Sequence, residues 1–244
     1  MSTNDLKTVV IDVFDLNKPD YDNTYAIVPV DVIRATTTAI TGVAQGRKCY
    51  PVSSIEEATA VANNIQNPLQ VGELGGNMPY GFDLQNSPFL IASRTDVDRP
   101  MILLSTSGTR LIIEFKDHDY IYPACLRNYS ALIQYLSVRH NKVALIGAGT
   151  RGEFREEDQL CCAWIAKGLI QRGFQPENER TSEIIERWRH ASVEVIRDGN
   201  SAAYLNRSGQ AQDLDFILAH VDDLPFVYQF IGDQVVELNS STPS

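Results

Sequence analysis

Runs of hydrophobic residues alternate with helix-like patterns along the first two thirds of the chain. Short apolar runs rich in β-branched residues predict strands at residues 8–13, 24–32, 48–52, 69–71, 101–104, 120–122 and 142–146. Between them, apolar residues recur at helical spacing and predict helices that end at residues 45 and 115 and that span residues 54–66, 128–139 and 156–172. This alternation predicts an α/β fold with a mixed or mostly parallel sheet and helices on both faces.

The last third of the chain has a different pattern. Residues 173–180 form a polar, proline-containing stretch and are expected to be a loop. Short helices are predicted at residues 181–190, 201–207 and 213–220, followed by a hairpin of residues 226–230 and 234–238. We therefore expect a single domain over residues 1–238 with a helical C-terminal portion, and a disordered tail over residues 239–244.

Composition restricts the partners. The 244 residues carry 31 acidic and 21 basic side chains, a net charge of −10, which argues against nucleic acid or an anionic membrane as a partner. The N-terminus has no signal-peptide pattern, and no apolar run approaches the length of a membrane helix. The four cysteines form no CxxC pair, so we expect reduced, mostly buried thiols in a cytoplasmic protein.

Four of the predicted strands run into turns rich in glycine and hydroxyl side chains, at residues 34–38, 72–76, 105–110 and 147–152. Because ligands of open α/β sheets bind beyond the carboxyl ends of the strands, we expect these four turns to gather at one site. Hydroxyls and exposed backbone N–H groups at helix starts suit an oxyanion. A helix cap explains each turn taken singly, but four together favour an anion site.

Charged side chains of both signs lie at these turns. The arginines are Arg34, Arg110 and Arg151, with Arg127 at the start of a helix. The carboxylates are Asp31, Glu73, Asp83, Glu153, Glu157 and Asp158. Arginines and carboxylates at one rim indicate a small anionic ligand held through a hard divalent cation, typically Mg²⁺.

Residues 147–152 match GxGxxG between a strand and a helix, which is typical of a dinucleotide site. Two observations weaken that interpretation. The start of the helix behind the turn carries Glu153, Glu156, Glu157 and Asp158, which would repel a pyrophosphate that lacks a metal. No strand is predicted at residues 173–177, where the ribose-binding acid should lie. A nucleotide-cofactor enzyme and a non-catalytic anion-binding protein remain the alternatives. The chain has no P-loop, nucleophile elbow or zinc-ligand spacing.

Several unusual strings, in one order, resemble the 2-phosphosulfolactate phosphatase (ComB-like) family. They are VDVIRATTT at residues 30–38, GELGG at 72–76, GFDLQNSP at 81–88, STSGTR at 105–110, AGTRG at 148–152 with Glu157 and Asp158, and residues 201–215 with Leu205, Gly209 and Asp215. The resemblance implies the ComB-like fold and a Mg²⁺-dependent hydrolase of coenzyme M biosynthesis. Such an enzyme converts 2-phospho-3-sulfolactate, or a related small phosphorylated acid, to 3-sulfolactate and phosphate.

Site residues follow from the turns and from this resemblance. Asp31, Arg34 and Asp158 are predicted to be catalytic, and Asp31, Glu73, Glu157 and Asp158 to be metal ligands. Asp31 is either the nucleophile or a metal ligand, and both roles stay open. The predicted substrate-binding residues are Thr36, Thr37, Ser105, Thr106, Gly108, Thr109, Arg110, Arg127, Asn128, Gly149, Thr150 and Arg151. The expected partner is a small anionic phosphomonoester, and a homodimer is expected from base rates alone.

Overall fold

The computed structural model describes residues 6–15, 21–149 and 153–238. Its strands within these ranges are β1 (Thr8–Val13), β2 (Tyr25–Val30), β3 (Cys49–Val52), β4 (Leu69–Gly72), β5 (Met101–Leu104), β6 (Lys142–Gly147), β7 (Gln175–Pro176), β8 (Val227–Ile231) and β9 (Gln234–Leu238). Its α-helices there are α1 (Ala35–Ala44), α2 (Ile55–Ala62), α3 (Pro88–Ala92), α4 (Gly108–Glu114), α5 (Tyr129–Arg139), α6 (Glu156–Ile170), α7 (Glu179–Trp188), α8 (Asn200–Arg207) and α9 (Ala211–Ala219). A 3₁₀ helix spans Val193–Asp198.

The strands form two sheets. One is parallel throughout, in the order β2-β6-β1-β7. The other has the order β4-β5-β3-β9-β8, with three parallel strands followed by the antiparallel hairpin β8-β9. The predicted α/β class and mostly parallel pairing are confirmed, as is the closing hairpin.

The predicted strand at residues 120–122 is instead a connection between the two sheets. On one side Tyr122 N donates to Ile27 O at 2.8 Å, and the pair Ile27–Ile121 forms an isolated bridge to β2. On the other side Phe230 N of β8 donates to Ile121 O at 2.9 Å. Pro123 follows at once and has no N–H to continue a ladder, so the segment makes bridges rather than a strand.

Helices cover both faces of both sheets. Alternate β1 residues face opposite ways: Val9 and Ile11 pack into the large cluster with α5, α6 and α7, whereas Val10 packs into the cluster with Leu111 of α4. In the second sheet, Leu103 packs into the cluster with α1, and its neighbours Ile102 and Leu104 into the cluster with α2. Strands buried on both faces read as continuous apolar runs, which is why the sequence located them.

Short elements are where sequence and structure differ. The predicted loop at residues 173–180 contains β7, a two-residue strand beside β1 fixed by Gln175 N donating to Lys7 O at 2.8 Å, so the prediction that no strand lies there is wrong. Helix α3 was also missed. The two residues of β7 and the five of α3 are too few to show a hydrophobic period. A local signal for α3 is its cap, Ser87, whose Oγ accepts a hydrogen bond from Leu90 N at 3.1 Å.

Other features agree with the sequence. The helix predicted from residue 54 begins with Ser54 as its cap, which accepts a hydrogen bond from Glu57 N at 3.1 Å. All four cysteines are buried free thiols, and burial raises the pKa of Cys125 to about 11. Among the described residues, none of the helices combines the length and apolarity that a bilayer crossing needs. The predicted tail at 239–244 and the predicted site residues Thr150 and Arg151 lie outside the described residues.

Candidate active site

A cleft of about 720 Å³ lies at the carboxyl ends of strands from both sheets. Each of the four predicted turns contributes to its wall, so the expectation that they gather is confirmed. The lining residues are Asp31, Ile33, Arg34, Glu73, Gly75, Gly76, Asn86, Thr106, Ser107, Gly149, Glu153, Arg155, Asp158, Asn200, Ser201, Tyr204, Leu205 and Arg207.

Asp31 follows β2 and is only 8% exposed. Its backbone is fixed by Thr36, whose Oγ1 accepts from Asp31 N at 2.9 Å and donates to Asp31 O at 2.7 Å. Burial raises the pKa of the Asp31 carboxyl to about 7; the carboxylates of Glu73 and Glu157 add to the rise, while the backbone N–H of Ala35 and Arg34 oppose it. The surroundings of Asp31 therefore destabilise its ionised form.

Asp158 and Glu157 lie in the first turn of α6 and are both buried. Asp158 accepts backbone hydrogen bonds from Val32 N at 2.9 Å and Gly149 N at 3.4 Å, which join the ends of β2 and β6. Burial, and then the Asp31 and Glu157 charges, raise the pKa of Asp158 well above its usual range. Burial also raises the pKa of Glu157, although a hydrogen bond with the Ser201 side chain opposes the rise. Three acidic groups therefore destabilise one another's charge at the end of the parallel sheet.

Glu73, after β4, ties its turn to the turn after β5. Its Oε1 accepts from Thr106 N at 2.8 Å, and its Oε2 accepts from Thr106 Oγ1 at 2.9 Å and from Gly76 N at 2.8 Å. Both oxygens are therefore already engaged in positioning two walls of the cleft.

Arg34 is buried and held from the C-terminal portion of the chain. Its Nη1 donates to Asp213 Oδ2 at 2.6 Å and to Gln210. The other oxygen of Asp213 accepts from Ser87 Oγ at 2.5 Å and from Phe89 N at 3.2 Å. Asp213 thus joins α9, α3 and the turn after β2, and it fixes the guanidinium at the cleft wall.

Four of the predicted substrate-binding residues are buried in the turns rather than on the cleft wall. Thr37 donates to Val32 O at 2.8 Å, and Thr36 clamps Asp31. Ser105 and Thr109 bond one another: Ser105 Oγ accepts from Thr109 N at 2.9 Å, and Thr109 Oγ1 accepts from Ser105 N at 2.8 Å. These hydroxyls shape the turns, whereas Thr106 and Gly149 do line the cleft.

Gly108 acts by leaving space. A Cβ at this position would lie 2.2 Å from Asp31 Oδ2 and 2.7 Å from Ala35 Cβ, so only glycine lets the start of α4 approach the Asp31 carboxylate.

Two of the predicted arginines, Arg110 and Arg127, lie away from the cleft. Arg127 makes a bidentate pair with Asp223, at 3.0 and 2.7 Å, and donates to Thr41 Oγ1 at 2.9 Å. Asn128 is buried and accepts from Cys125 N at 3.0 Å. Arg110 is exposed on α4 and does not line the cleft, and neither does Asp83, which accepts from Gln70 N at 2.9 Å. Proximity to a turn in sequence could not separate these residues from Arg34.

Six polar lining residues lie outside the predicted turns and are not among the predicted site residues or carboxylates: Asn86, Arg155, Asn200, Ser201, Tyr204 and Arg207. Asn86, Ser201, Tyr204 and Arg207 lie inside the family-like strings, but no role was predicted for them. Tyr204 donates to Gly76 O at 2.5 Å and thereby holds α8 against the turn after β4. The C-terminal helices therefore form one side of the cleft, which the sequence pattern did not indicate.

The predicted metal ligands meet the needs of Mg²⁺ only in part. Within the described residues, no group of three or more His, Cys, Asp or Glu side chains is arranged to hold a metal ion. Mg²⁺ commonly uses only one or two carboxylates and completes its shell with water and substrate phosphate. Asp31 and Asp158 line the cleft, and a carboxylate oxygen that accepts from one backbone N–H can still bind a cation, so this donor set fits Mg²⁺. Glu73 is less available, because its two oxygens already accept three hydrogen bonds.

Two glycines of the GxGxxG string, Gly147 and Gly149, are required by close packing. A Cβ at Gly147 would lie 2.2 Å from the Phe154 ring, and a Cβ at Gly149 would lie 2.7 Å from Glu153 O. Glu177, which follows β7, accepts from Thr8 and Tyr25 hydroxyls at the amino ends of β1 and β2. It is thus at the wrong edge of the sheet for the ribose-binding acid of a dinucleotide site.

Comparison with known proteins agrees with the strings noted in the sequence. A family model described as 2-phosphosulpholactate phosphatase matches residues 10–230. A protein of Pseudothermotoga lettingae named "Probable 2-phosphosulfolactate phosphatase" is 32% identical over 233 residues, which cover 93% of this chain and 99% of that relative. A protein of the same name from Synechocystis sp. is 29% identical, and the match covers 85% of this chain and 90% of that relative. Another, from Carboxydothermus hydrogenoformans, is 33% identical, and the match covers 78% of this chain and 76% of that relative.

Proposed function

Because the chain belongs to the 2-phosphosulpholactate phosphatase family, we propose that it is a Mg²⁺-dependent phosphatase. It hydrolyses 2-phospho-3-sulfolactate, or a related small phosphorylated acid, to 3-sulfolactate and phosphate. The reaction is a step of coenzyme M biosynthesis and takes place in the cytoplasm. The buried free thiols are consistent with this reducing compartment. The observation that carries the proposal is the cleft itself, in which buried carboxylates and arginines face the same space.

The residues of the cleft have separate tasks. The turn at Thr106 and Ser107 and the backbone at Gly149 surround the phosphoryl group. Arg34, fixed by Asp213, supplies positive charge where the phosphoryl oxygens lie. Its pairing with Asp213 orients the guanidinium before the substrate binds, so that little reorganisation is needed during the reaction.

Asp31 and Asp158 would hold Mg²⁺, which when bound neutralises charge on the phosphoryl oxygens. Asp31 acts either as a ligand in this way or as the nucleophile. Acid quenching during turnover of a ³²P-labelled substrate separates these roles, because a nucleophilic Asp31 leaves radiolabel on the protein and a ligand does not.

The substrate carries further anionic groups besides the phosphate. Arg155 and Arg207 line the cleft on its C-terminal side, beside the hydrogen-bonding side chains of Asn200, Ser201 and Tyr204. This side of the cleft binds the carboxylate or sulfonate, so the enzyme prefers small phosphorylated acids over neutral phosphomonoesters.

A panel of phosphomonoesters tests the proposal. The purified protein is assayed for phosphate release with 2-phospho-3-sulfolactate, 2-phospholactate, phosphoglycolate and p-nitrophenyl phosphate, each with Mg²⁺ and with EDTA. We expect Mg²⁺-dependent release that is fastest with the phosphorylated acids. No release from any substrate would overturn the enzymatic proposal and favour an anion-binding protein.

The nucleotide alternative has its own test. Trp188 Nε1 donates to Gln159 of α6 at 3.1 Å, so a ligand at the turn before α6 would alter the environment of this indole. Titration with NAD⁺ or NADP⁺ while tryptophan fluorescence is followed should give no saturable change. A saturable change at micromolar cofactor would favour the nucleotide-binding alternative.

A further inference from the structure

Asn86 has an unsatisfied polar atom at the wall of the cleft. The residue is only 2% exposed and is one of those that line the cleft. Its Oδ1 is buried and has no hydrogen-bond partner among the described residues. A buried amide oxygen without a partner is destabilising, so its presence at a cleft points to a ligand.

The position of Asn86 is set by rigid neighbours. The next residue, Ser87, caps α3 and donates to Asp213 at 2.5 Å, and Asp213 in turn holds Arg34. The amide is therefore anchored to the network that positions the arginine of the site.

The chemistry of Oδ1 limits what can bind it. The atom is an acceptor, so its partner must be a hydrogen-bond donor or a cation. The ionised phosphate, carboxylate and sulfonate oxygens of the proposed substrate are acceptors and cannot donate to it. Amide oxygens are common ligands of hard divalent cations, and the carboxylates of Asp31 and Asp158 line the same cleft.

We propose that the amide oxygen of Asn86 is a ligand of a divalent cation bound in this cleft, together with the carboxylate of Asp158 and, in its ligand role, that of Asp31. The inference rests on the proposed function, because that function requires the cation. It adds a neutral ligand to a site whose other donors are acidic, and it accounts for the unpartnered oxygen.

Mn²⁺ binding to the full chain without substrate tests the inference, by calorimetry or by the EPR signal of free Mn²⁺. Asn86→Leu should weaken the Mn²⁺ affinity at least about tenfold, because it keeps the shape and removes the oxygen. Asn86→Asp should bind Mn²⁺ at least as tightly as the wild type, because it keeps an oxygen and adds charge. If the amide instead turned Nδ2 toward a substrate anion, Asn86→Asp would weaken phosphate binding and Asn86→Leu would leave Mn²⁺ affinity unchanged.

Gln45 provides a matched control. Its Oε1 is also buried without a partner among the described residues, but it lies outside the cleft, with Nε2 donating to Ala92 O at 2.9 Å. Gln45→Met should therefore bind Mn²⁺ like the wild type. In EDTA, Asn86→Leu should be at least as stable as the wild type toward urea, since it removes an unpartnered polar atom; this confirms that the variant folds.

The outcomes separate this inference from the proposed function. Wild-type Mn²⁺ affinity in Asn86→Leu, loss of affinity in Asn86→Asp, or absence of Mn²⁺ binding by the wild type would each overturn the role of Asn86. Absence of phosphate release by the wild type across the substrate panel would overturn the phosphatase proposal instead.

Discussion

Asp31 combines burial with unfavourable charge, and this combination is costly unless it serves the reaction. Its pKa is raised to about 7 by burial and by neighbouring carboxylates, so ionising this group costs more in the folded chain than in water. Sites of this kind trade stability for activity. Asp31 is therefore the residue at which the two properties should separate most clearly.

Asp31→Asn should abolish turnover while leaving the fold intact. We expect kcat to fall at least about 10³-fold, because either proposed role of Asp31 needs a carboxylate. Stability toward urea at pH 8 should equal or exceed that of the wild type, since the neutral amide ends the repulsion from Glu73 and Glu157. Phosphate-release kinetics and urea unfolding measure both effects. Near-normal kcat in the variant would contradict the assignment.

His140, which does not line the cleft, should make the free energy of unfolding depend on pH. Burial lowers the pKa of His140 to about 4, and its Nε2 lies 3.1 Å from the Tyr122 hydroxyl. In the unfolded chain this imidazole binds a proton near pH 6.5, whereas in the folded chain it stays neutral down to about pH 4. The stability that the neutral His140 gives the fold is therefore fully present above pH 6.5 and is lost as the pH falls toward 4.

Replacing His140 should flatten that dependence. In His140→Gln, the free energy of unfolding should fall less steeply between pH 6.5 and 4.5, by at most about 1.4 kcal/mol per pH unit relative to the wild type. Urea titrations at several pH values measure the difference. Parallel curves for the two proteins would contradict the prediction.

At the scale of elements, the site depends on how closely helices approach the strand ends. The start of α4 touches the Asp31 carboxylate because residue 108 has no side chain. Gly108→Ala should displace Asp31 and lower kcat by about 10²-fold or more, since misplacement of about 1 Å has such an effect. Kinetics with Mg²⁺ and a saturating phosphorylated acid measure it.

Gly42→Ala in α1 is the matched control for that substitution. A Cβ at Gly42 would meet the end of the flexible Met101 side chain, at 2.8 Å, rather than a functional group. Alanine also favours a helix over glycine by up to about 1 kcal/mol. The control should keep kcat near the wild-type value. Equal losses in both variants would indicate general disruption instead of a specific contact with Asp31.

Helix α8 should contribute to substrate binding through Tyr204. Tyr204→Phe removes the hydrogen bond to Gly76 O and should destabilise the chain by about 1 kcal/mol and raise KM. Tyr80→Phe, which removes a hydroxyl from a fully exposed ring, is the control and should change neither quantity. An unchanged KM in Tyr204→Phe would mean that α8 does not position the turn after β4.

For the whole molecule, the net charge of −10 opposes every anionic ligand at long range. Arg34, Arg155 and Arg207 offset this charge in the cleft, and a bound divalent cation would have to add to them, because four carboxylates line the same space. Arg207→Gln should raise KM about fivefold for a phosphorylated acid, an exposed-pair effect of about 1 kcal/mol, and less for p-nitrophenyl phosphate. Arg110→Gln changes the net charge equally, but Arg110 does not line the cleft. The KM of this variant for the phosphorylated acid should therefore be close to that of the wild type. Equal KM changes in both variants would indicate a bulk charge effect.

The sequence predicted the parts of the site that depend on which strands are buried and on the order of the elements along the chain. Runs such as residues 8–13 and 101–104 were located to the residue, because strands covered on both faces must be apolar throughout. The meeting of the four turns also followed, because parallel strands place their carboxyl ends together. The side-chain roles did not follow. Arg127 and Arg34 both lie beside turns, yet Arg127 pairs with Asp223 away from the cleft.

The sequence by itself determined the α/β class, the strand ends that form the site and the chemistry available there, since these depend on local pattern and on residue type. Only the tertiary structure decided which residues share the cleft. Asp215 stood out in the sequence, but the phase of α9 buries Asp213 against Arg34 and leaves Asp215 exposed beside Arg197. The unpartnered oxygen of Asn86 is likewise a property of packing, because a missing partner exists only once all neighbours are in place.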